Sequence, residues 1–450
     1  MTRNGIEPAS RHFWEAGSVP SDPRGSRIDL EARAAWSALA ESTDPAARYL
    51  WLARGPVDAL ALAREGSVRE IAEALEEAAG NAEAERLYVT AAHESMKIRD
   101  ARAAAERAKA AWMRRTRETE NLLERSHERG IRLVRPGDVQ WPTGFDDLGV
   151  NAPFALWYAG PNTRGASREL ECDRAMPPAI ALVGARNATQ YGKDIAYDFA
   201  SALAERGVRI VSGGALGIDA AAHSGALAAR AERAGGGGTV AFLAGGLDDY
   251  YPRSNASLLT RVRGEGGLFS EAPVGARPTR WRFLSRNRLI AAASAATIVI
   301  EAAWRSGALS TAAHADALSR SVGAVPGPIT SAESGGCHRL IAERGAQLVA
   351  RVEDIEAMVG FASRGEAHTP NATTCEPLSL DVELLSPVDR LVYDGIPRFS
   401  SVSISELATH CALDPERVKT SLGRIELLGL AHVSRGRARR NQREASAGSP

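Results

Sequence analysis

The sequence has few cysteines, and none of them is arranged to bind a metal. Four cysteines stand among 450 residues, with no Cys-x-x-Cys pair and no histidines at zinc spacing. We therefore expect neither a disulfide framework nor a structural metal, and a reducing compartment is the default.

Long apolar runs are also lacking. The first twenty residues carry charges and no apolar core, so we expect no signal peptide. The most apolar run, 289–303, is interrupted by Glu301 and is too short to span a bilayer. These features predict a cytoplasmic protein that does not engage a membrane.

The chain carries no excess of either charge. Its 55 Lys and Arg residues balance 55 Asp and Glu residues, and aromatic residues make up only 6%. Any affinity for nucleic acid must therefore come from a local cluster of cations rather than from the field of the whole molecule.

The length predicts two to three domains. Residues 1–28 lack periodicity and predict a disordered tail, whereas in 29–129 apolar residues recur at spacings of three and four, which predicts a helical N-terminal domain. We expect an α/β core at 130–361, a linker at 362–380 and a tail at 441–450. Residues 381–440 show the order helix, helix, turn, helix, strand, which predicts a winged helix-turn-helix.

The core is organised around two glycine turns. An apolar strand at 179–183 leads into the turn 184–189 and a helix at about 191–206, and a second strand at 208–211 leads into the turn 212–219 and another helix. This alternation continues to residue 327 and predicts a parallel sheet of about five central strands. Because ligands of such sheets bind at the carboxyl ends of the strands, we expect a phosphate-bearing ligand across these turns.

Arginines lie beside several of the predicted turns. Arg186 projects from the first turn and suits bidentate contact with phosphate, and Arg253 lies at a loop-to-helix junction. Arg286 and Arg288 could line the same groove or form ion pairs with Glu301 or Asp219 inside the fold. Phe283 or Tyr251 could stack on a base, although a lone aromatic residue is more often part of a core.

Catalytic patterns are weaker. Asp219 and His223 lie four residues apart, as an acid–base pair would, but an Asp near a helix N-terminus is already favoured by the helix dipole. Ser212 does not stand in a nucleophile elbow. The first turn is not a complete Gly-x-Gly-x-x-Gly and no acidic residue follows to hold a ribose, so dinucleotide binding is not expected.

Eight short strings in order resemble the DNA-processing protein A (DprA/Smf) family. They begin with Val-Gly-Ala-Arg at 183–186, Ser-Gly-Gly-Ala at 212–215 and Gly-Leu-Asp at 246–248, and they continue through Arg-Asn-Arg at 286–288 to Val-Pro-Gly at 325–327. The resemblance implies a Rossmann-like core that binds single-stranded DNA, protects incoming DNA, forms a homodimer and helps to load the RecA recombinase in natural transformation. It implies no cofactor and no catalytic turnover.

Taken with the glycine turns, the resemblance predicts a set of DNA- and phosphate-binding residues. In the turns, the glycines would let the backbone approach a phosphate. The predicted set is Gly184, Arg186, Thr189, Ser212, Gly213, Gly214, Gly217, Arg253, Asn255, Arg286, Asn287 and Arg288.

Two other functions stay open from the sequence. The first is a nucleotide-binding protein or an enzyme, because the core also resembles nucleoside-monophosphate phosphoribohydrolases, which use an arginine with a glutamate beside a Pro-Gly-Gly-x-Gly-Thr loop. Glu301 would be that glutamate, but the loop is absent after it. The winged helix could also be the main effector, bound to duplex DNA with the core as a ligand sensor. Its helix at 416–428 offers only Arg417, Lys419 and Arg424 as cations, so contacts with a DNA groove would be few.

Overall fold

The computed structural model describes residues 23–79, 100–161, 178–229, 238–360, 385–397, 401–434 and 436–440. The chain divides into two compact units between residues 362 and 363. The predicted tail 441–450 and linker 362–380 lie outside the described residues.

A nine-stranded sheet forms the centre of the first unit, in the order β1-β2-β6-β5-β4-β3-β7-β8-β9. Neighbours from β6 to β9 are parallel, and the pairs β1-β2 and β2-β6 are antiparallel. The strands are β1 Arg132–Val134, β2 Leu156–Ala159, β3 Ala179–Val183, β4 Arg209–Ser212, β5 Thr239–Leu243, β6 Gly267–Ser270, β7 Ala296–Val299, β8 Ser321–Ala324 and β9 Gln347–Leu348. The α/β fold with a mostly parallel central sheet is thus confirmed, with more strands than the five predicted.

Helices cover both faces of this sheet. They are α6 Gln190–Glu205, α7 Ile218–Ala228, α8 Ala256–Glu265, α9 Arg280–Ala292, α10 Ala308–Ala317, α11 Gly335–Arg344 and α12 Val352–Val359. Side chains alternate along each strand between two buried layers. In β3, Ile180 and Leu182 pack with α6 and α7, whereas Ala181 and Val183 face the layer that contains α9, α10 and α11.

Within 23–79 and 100–131, the described residues before the sheet form the helices α1 Pro23–Leu39, α2 Pro45–Glu65, α3 Val68–Ala79, α4 Ala101–Arg115 and α5 Leu122–His127. Their core surrounds Trp36 and Trp112, whose rings meet edge to face at 5.6 Å. The segment predicted as a helical domain lies in the same compact unit as the sheet. Trp157 of β2 donates from Nε1 to Ser37 Oγ at 3.1 Å, for example. Helix α1 begins inside the range predicted as a tail, and residues 1–22 lie outside the described residues.

The described residues of the second unit form three helices and a three-stranded antiparallel sheet in the order β10-β12-β11. The elements are α13 Pro387–Gly395, β10 Val402–Ser403, α14 Ile404–Cys411, α15 Pro415–Leu427, β11 Ala431–Ser434 and β12 Arg437–Arg440. Helix α15 begins as its sequence predicts, because Asp414 accepts a hydrogen bond from Glu416 N at 2.9 Å and Pro415 occupies the first turn.

Among the described residues, no helix is both long enough and apolar enough to cross a bilayer. In the same ranges, no group of His, Cys, Asp and Glu side chains is placed to hold a metal ion.

Candidate functional site

The two glycine turns lie side by side at the carboxyl edge of the sheet, after β3 and β4. Ile218 N donates to Ala185 O at 3.2 Å. Gly217 has a φ of +77°, and a Cβ there would lie 2.2 Å from Ala185 O. A Cβ on Gly184 would lie 2.5 Å from Cγ1 of Ile218. These glycines therefore permit close packing of one turn on the other.

Thr189 fixes the first turn from inside the fold. Its Oγ1 accepts a hydrogen bond from Gly192 N at 3.2 Å and so caps α6. The same hydroxyl donates to Glu301 Oε1 at 2.5 Å, and Thr189 N donates to Glu301 Oε2 at 2.9 Å. Glu301 is almost fully buried, so both residues act within the protein.

Arg286 and Asp219 fix the second turn. The buried Arg286 donates to Gly213 O at 2.7 Å and to Phe242 O, while Asp219 Oδ2 accepts from Gly213 N at 3.1 Å and from Ala215 N at 3.3 Å. Burial raises the pKa of the Asp219 carboxyl, and the nearby Arg286 charge opposes that shift. Burial also lowers the pKa of Arg286 to about 10, so it is still a cation at neutral pH. Of the two acids offered as internal partners, Asp219 is the one that Arg286 faces.

Four more members of the predicted set contribute to the structure of the carboxyl edge, three through hydrogen bonds within the protein and one through its backbone conformation. Asn255 donates to Gly214 O at 3.1 Å and to Ala215 O at 3.0 Å. Ser212 donates to Leu182 O at 2.7 Å, and Asn287 donates to Gly307 O at 3.3 Å. Gly214 has a φ of +68°, which favours glycine at that position. These residues hold the shape of the edge.

Arg288 lies away from the exposed surface. Its side chain is 5% exposed and forms an ion pair with Glu271, with 2.5 Å between Nη2 and Oε1. It also donates from Nε to Asn151 O at 2.9 Å. The structure therefore gives Arg288 an internal partner, although neither Glu301 nor Asp219 is that partner.

His223 is buried beneath the second turn. Thr239 Oγ1 donates its only proton to Ile210 O at 3.0 Å, so His223 Nδ1 donates to Thr239 Oγ1 at 2.7 Å. Burial, together with the Arg286 charge, lowers the pKa of His223 to about 3. A neutral, fully buried imidazole fits a structural part in the fold better than an acid–base pair with Asp219.

Above these buried residues lies an exposed surface formed by Arg186, Phe283 and Tyr251, which we call the arginine-aromatic surface. The Arg186 guanidinium carbon stands 4.6 Å from the centroid of the Phe283 ring. The Tyr251 ring lies 5.8 Å from that of Phe283 and is 53% exposed. The surface thus combines a solvent-facing cation, the exposed ring of Tyr251 and the half-buried ring of Phe283.

Arg253 lies two residues after Tyr251 in the sequence. Its side chain is 85% exposed, and its nearest carboxylate, Asp249, stands 3.7 Å away. That distance is long for a charge-assisted hydrogen bond, so the guanidinium is available to a ligand. Of the four predicted arginines, only Arg186 and Arg253 face solvent.

The loop between α1 and α2 positions the aromatic part of the arginine-aromatic surface. Arg282 forms an ion pair with Glu41, with 2.9 Å between Nη2 and Oε1, and Trp281 Nε1 donates to Thr43 Oγ1 at 3.2 Å. Both contacts hold the first turn of α9, which carries Phe283. Sequence reasoning missed this role, because the partners lie about 240 residues apart and no local pattern connects them.

Comparisons with known proteins agree with this architecture. The family model described as DNA recombination-mediator protein A matches residues 132–360. A Mycobacterium tuberculosis protein named DNA processing protein DprA is 44% identical over 329 residues, which cover 70% of this chain and 79% of that protein. The Bacillus subtilis protein of the same name is 37% identical over 52% of this chain and 73% of its own length. The X-ray structure of DNA processing protein A from Streptococcus pneumoniae aligns with a TM-score of 0.51 at 25% identity, over 76% of this chain and 98% of that one. On these matches, the chain belongs to the DNA-processing protein A (DprA/Smf) family.

Proposed function

We propose that the protein binds single-stranded DNA on the arginine-aromatic surface. The observation that carries this proposal is the exposed Arg186 guanidinium set against the ring of Phe283, with Tyr251 beside it. A single strand presents phosphates at regular spacing and bases with open faces. Cations next to flat side chains are the arrangement that recognises such a ligand without reading its sequence.

Side chains rather than turn amides would contact the phosphates. The amides of Gly213 and Ala215 donate to Asp219, and the amide of Thr189 donates to Glu301. Because these three donors already have acceptors within the protein, they are not available to a phosphate. Arg186 and Arg253 would carry the phosphate contacts, and the glycines and buried polar residues would hold those side chains in place.

We further propose that this binding protects incoming DNA and helps to load RecA in natural transformation, in the cytoplasm and as a homodimer. The support is membership of a family described as DNA recombination mediators. The second unit has the element order of a winged helix-turn-helix, with α14 and α15 followed by β11 and β12. We assign it an accessory part, because α15 offers few cations for a DNA groove.

Binding without turnover fits the buried residues at this edge. Glu301, the acid that a phosphoribohydrolase of this subtype would use, accepts two hydrogen bonds from Thr189 and is 2% exposed. The His223 imidazole is neutral and fully buried. We therefore propose no catalytic residue.

The test is fluorescence anisotropy with labelled oligo-dT and with duplex of equal length. Wild type should prefer the single strand, and Arg186→Ala should weaken that binding. Arg344→Ala is the matched control, because this exposed arginine ends α11 just before the parallel strand β9 and so lies at the opposite, amino edge of the sheet. Equal affinity for both DNA forms, or equal losses in the two variants, would contradict the proposed site.

RecA loading needs its own readout. RecA filament formation on oligo-dT already coated with a single-strand-binding protein should be accelerated by wild type and by Arg344→Ala, but much less by Arg186→Ala. If wild type binds the strand and filament formation is not accelerated, the loading step is wrong while the binding site stands.

A further inference from the structure

A cavity lies at the amino edge of the sheet, where the parallel strands begin, opposite the edge that carries the arginine-aromatic surface. It has a volume of about 410 Å³ and is lined by the first residues of β3 and β4, Ala179 and Arg209, and by the turn at 292–295 that leads into β7. The 3-10 segment Thr143–Asn151 contributes its opposite wall through Gly144 and Asp147. The cavity and the arginine-aromatic surface therefore lie at opposite ends of the parallel strands.

The charges around the cavity leave one guanidinium unneutralised. Arg320 and Asp147 form an ion pair at 2.9 Å, and Arg320 also donates to Ser294 O and Gly144 O. Arg209 is half-buried, and no described carboxylate forms an ion pair with it. A cation that loses water without gaining an acid is unfavourable, and a bound anion removes that penalty.

The inner wall of the cavity is apolar and partly aromatic. Phe242 and Phe269 line it with their rings stacked, 5.2 Å between centroids and 21° between planes. Val211 and Val240 complete this wall. An apolar wall with one convergent cation fits an organic anion better than a bare inorganic one, and pockets for small molecules start at about 300 Å³.

We propose that this cavity binds a small organic anion with a flat ring, of the size and class of a nucleoside monophosphate. Arg209 holds the anionic group, and the ring packs against the wall formed by Phe242 and Phe269. This site is separate from the proposed DNA site and does not depend on it.

Isothermal titration of the full chain with dTMP, thymidine and inorganic phosphate tests the proposal. We expect about one dTMP per chain, and at least tenfold weaker binding of either component alone. Arg209→Met should weaken dTMP binding at least tenfold without lowering the melting temperature, since it removes a half-buried charge that has no ion pair. Ala295→Trp is a second variant, in which a large side chain at an exposed position of the rim blocks entry.

Arg186→Ala separates this site from the other edge, and its dTMP affinity should equal that of wild type. The proposal is overturned if wild type does not bind dTMP, or if Arg209→Met and Ala295→Trp both bind it like wild type. It is equally overturned if Arg186→Ala abolishes binding, since the nucleotide would then lie at the carboxyl edge. If thymidine, which lacks the phosphate, bound as tightly as dTMP, Arg209 would not hold the anionic group and the proposal would be overturned.

Discussion

Two pairs of arginines at the carboxyl edge carry the same charge and lie in opposite environments. The side chain of Arg253 is 85% exposed and Arg186 faces solvent, whereas Arg286 and Arg288 are buried. Among the described residues, the exposed pair has no carboxylate closer than Asp249, 3.7 Å from Arg253, whereas the buried pair is held by carbonyl groups and carboxylates of the protein. Similar short strings of sequence therefore contain residues that we propose as DNA ligands and residues that hold the fold.

The comparison predicts a different effect of substitution for each pair of arginines. Removing one partner from a buried, hydrogen-bonded charge leaves the other partner unpaired and costs stability. Removing an exposed arginine costs little stability and weakens contact with a polyanion. Measuring stability and DNA affinity in the same variants therefore tests the assignment of each arginine.

The largest effect should come from Arg286→Ala. This change removes the charge opposite Asp219 and the donor to Gly213 O, so we expect the free energy of unfolding to fall by about 3–5 kcal/mol. Urea denaturation followed by circular dichroism measures it. Arg253→Ala, the control, should change the unfolding free energy by less than about 0.5 kcal/mol. An Arg286→Ala protein as stable as wild type would place Arg286 with the exposed pair.

The second-largest effect should come from acid pH, which lowers the free energy of unfolding through the buried His223. The pKa of His223 is lowered from 6.5 to about 3, so between these values the unfolded chain binds a proton that the folded chain does not. Stability is therefore complete above pH 6.5 and falls as the pH drops below it, by up to about 1.4 kcal/mol per pH unit from this group. Urea denaturation of wild type and His223→Asn between pH 7 and pH 5 measures the slope. Equal slopes in the two proteins would show that His223 does not carry this acid sensitivity.

The sequence predicted the frame of the edge better than the roles of its side chains. The apolar run at 179–183 predicted β3 with its observed bounds, and the helix predicted at 416–428 is α15, Pro415–Leu427. Arg286 and Arg288 could not be assigned in this way, because burial depends on distant partners. Asp219 lies 67 residues before Arg286, and Glu271 lies 17 residues before Arg288.

The role of the glycines illustrates the same limit. A glycine turn after a strand marks a close approach of some atom to the backbone, but the sequence does not say which atom. At Gly213 it is the Arg286 guanidinium, and at Gly184 it is Ile218. The position of Phe283 could not be predicted either, since it depends on Glu41 and Thr43 in the loop between α1 and α2.

On the arginine-aromatic surface, replacing Phe283 should weaken DNA binding more than replacing Arg253. Phe283→Leu removes the ring and keeps apolar volume, so we expect binding of oligo-dT to weaken by about 1–3 kcal/mol, the value of one stacked base. Phe283→Trp keeps a stacking face and should retain most of the affinity. Anisotropy titrations of both variants, with melting temperatures as a folding check, decide the point. Full affinity in Phe283→Leu would remove the aromatic part of the surface from the site.

The smallest effect should come from Arg253→Ala. One exposed phosphate contact contributes little affinity at moderate salt, and its loss should reduce the dependence of log K on log salt by about 0.7 for a single strand. Titrations at several salt concentrations measure this slope. A slope equal to that of wild type would restrict the phosphate contacts to Arg186.

The most direct measurement is the salt dependence of oligo-dT binding by wild type, Arg186→Ala and Arg344→Ala. Our account predicts a steep fall in wild-type affinity with salt, an unchanged slope in Arg344→Ala, and in Arg186→Ala a lower affinity with a slope reduced by about 0.7. Equal slopes in wild type and Arg186→Ala would contradict it, because the exposed arginine would then hold no phosphate.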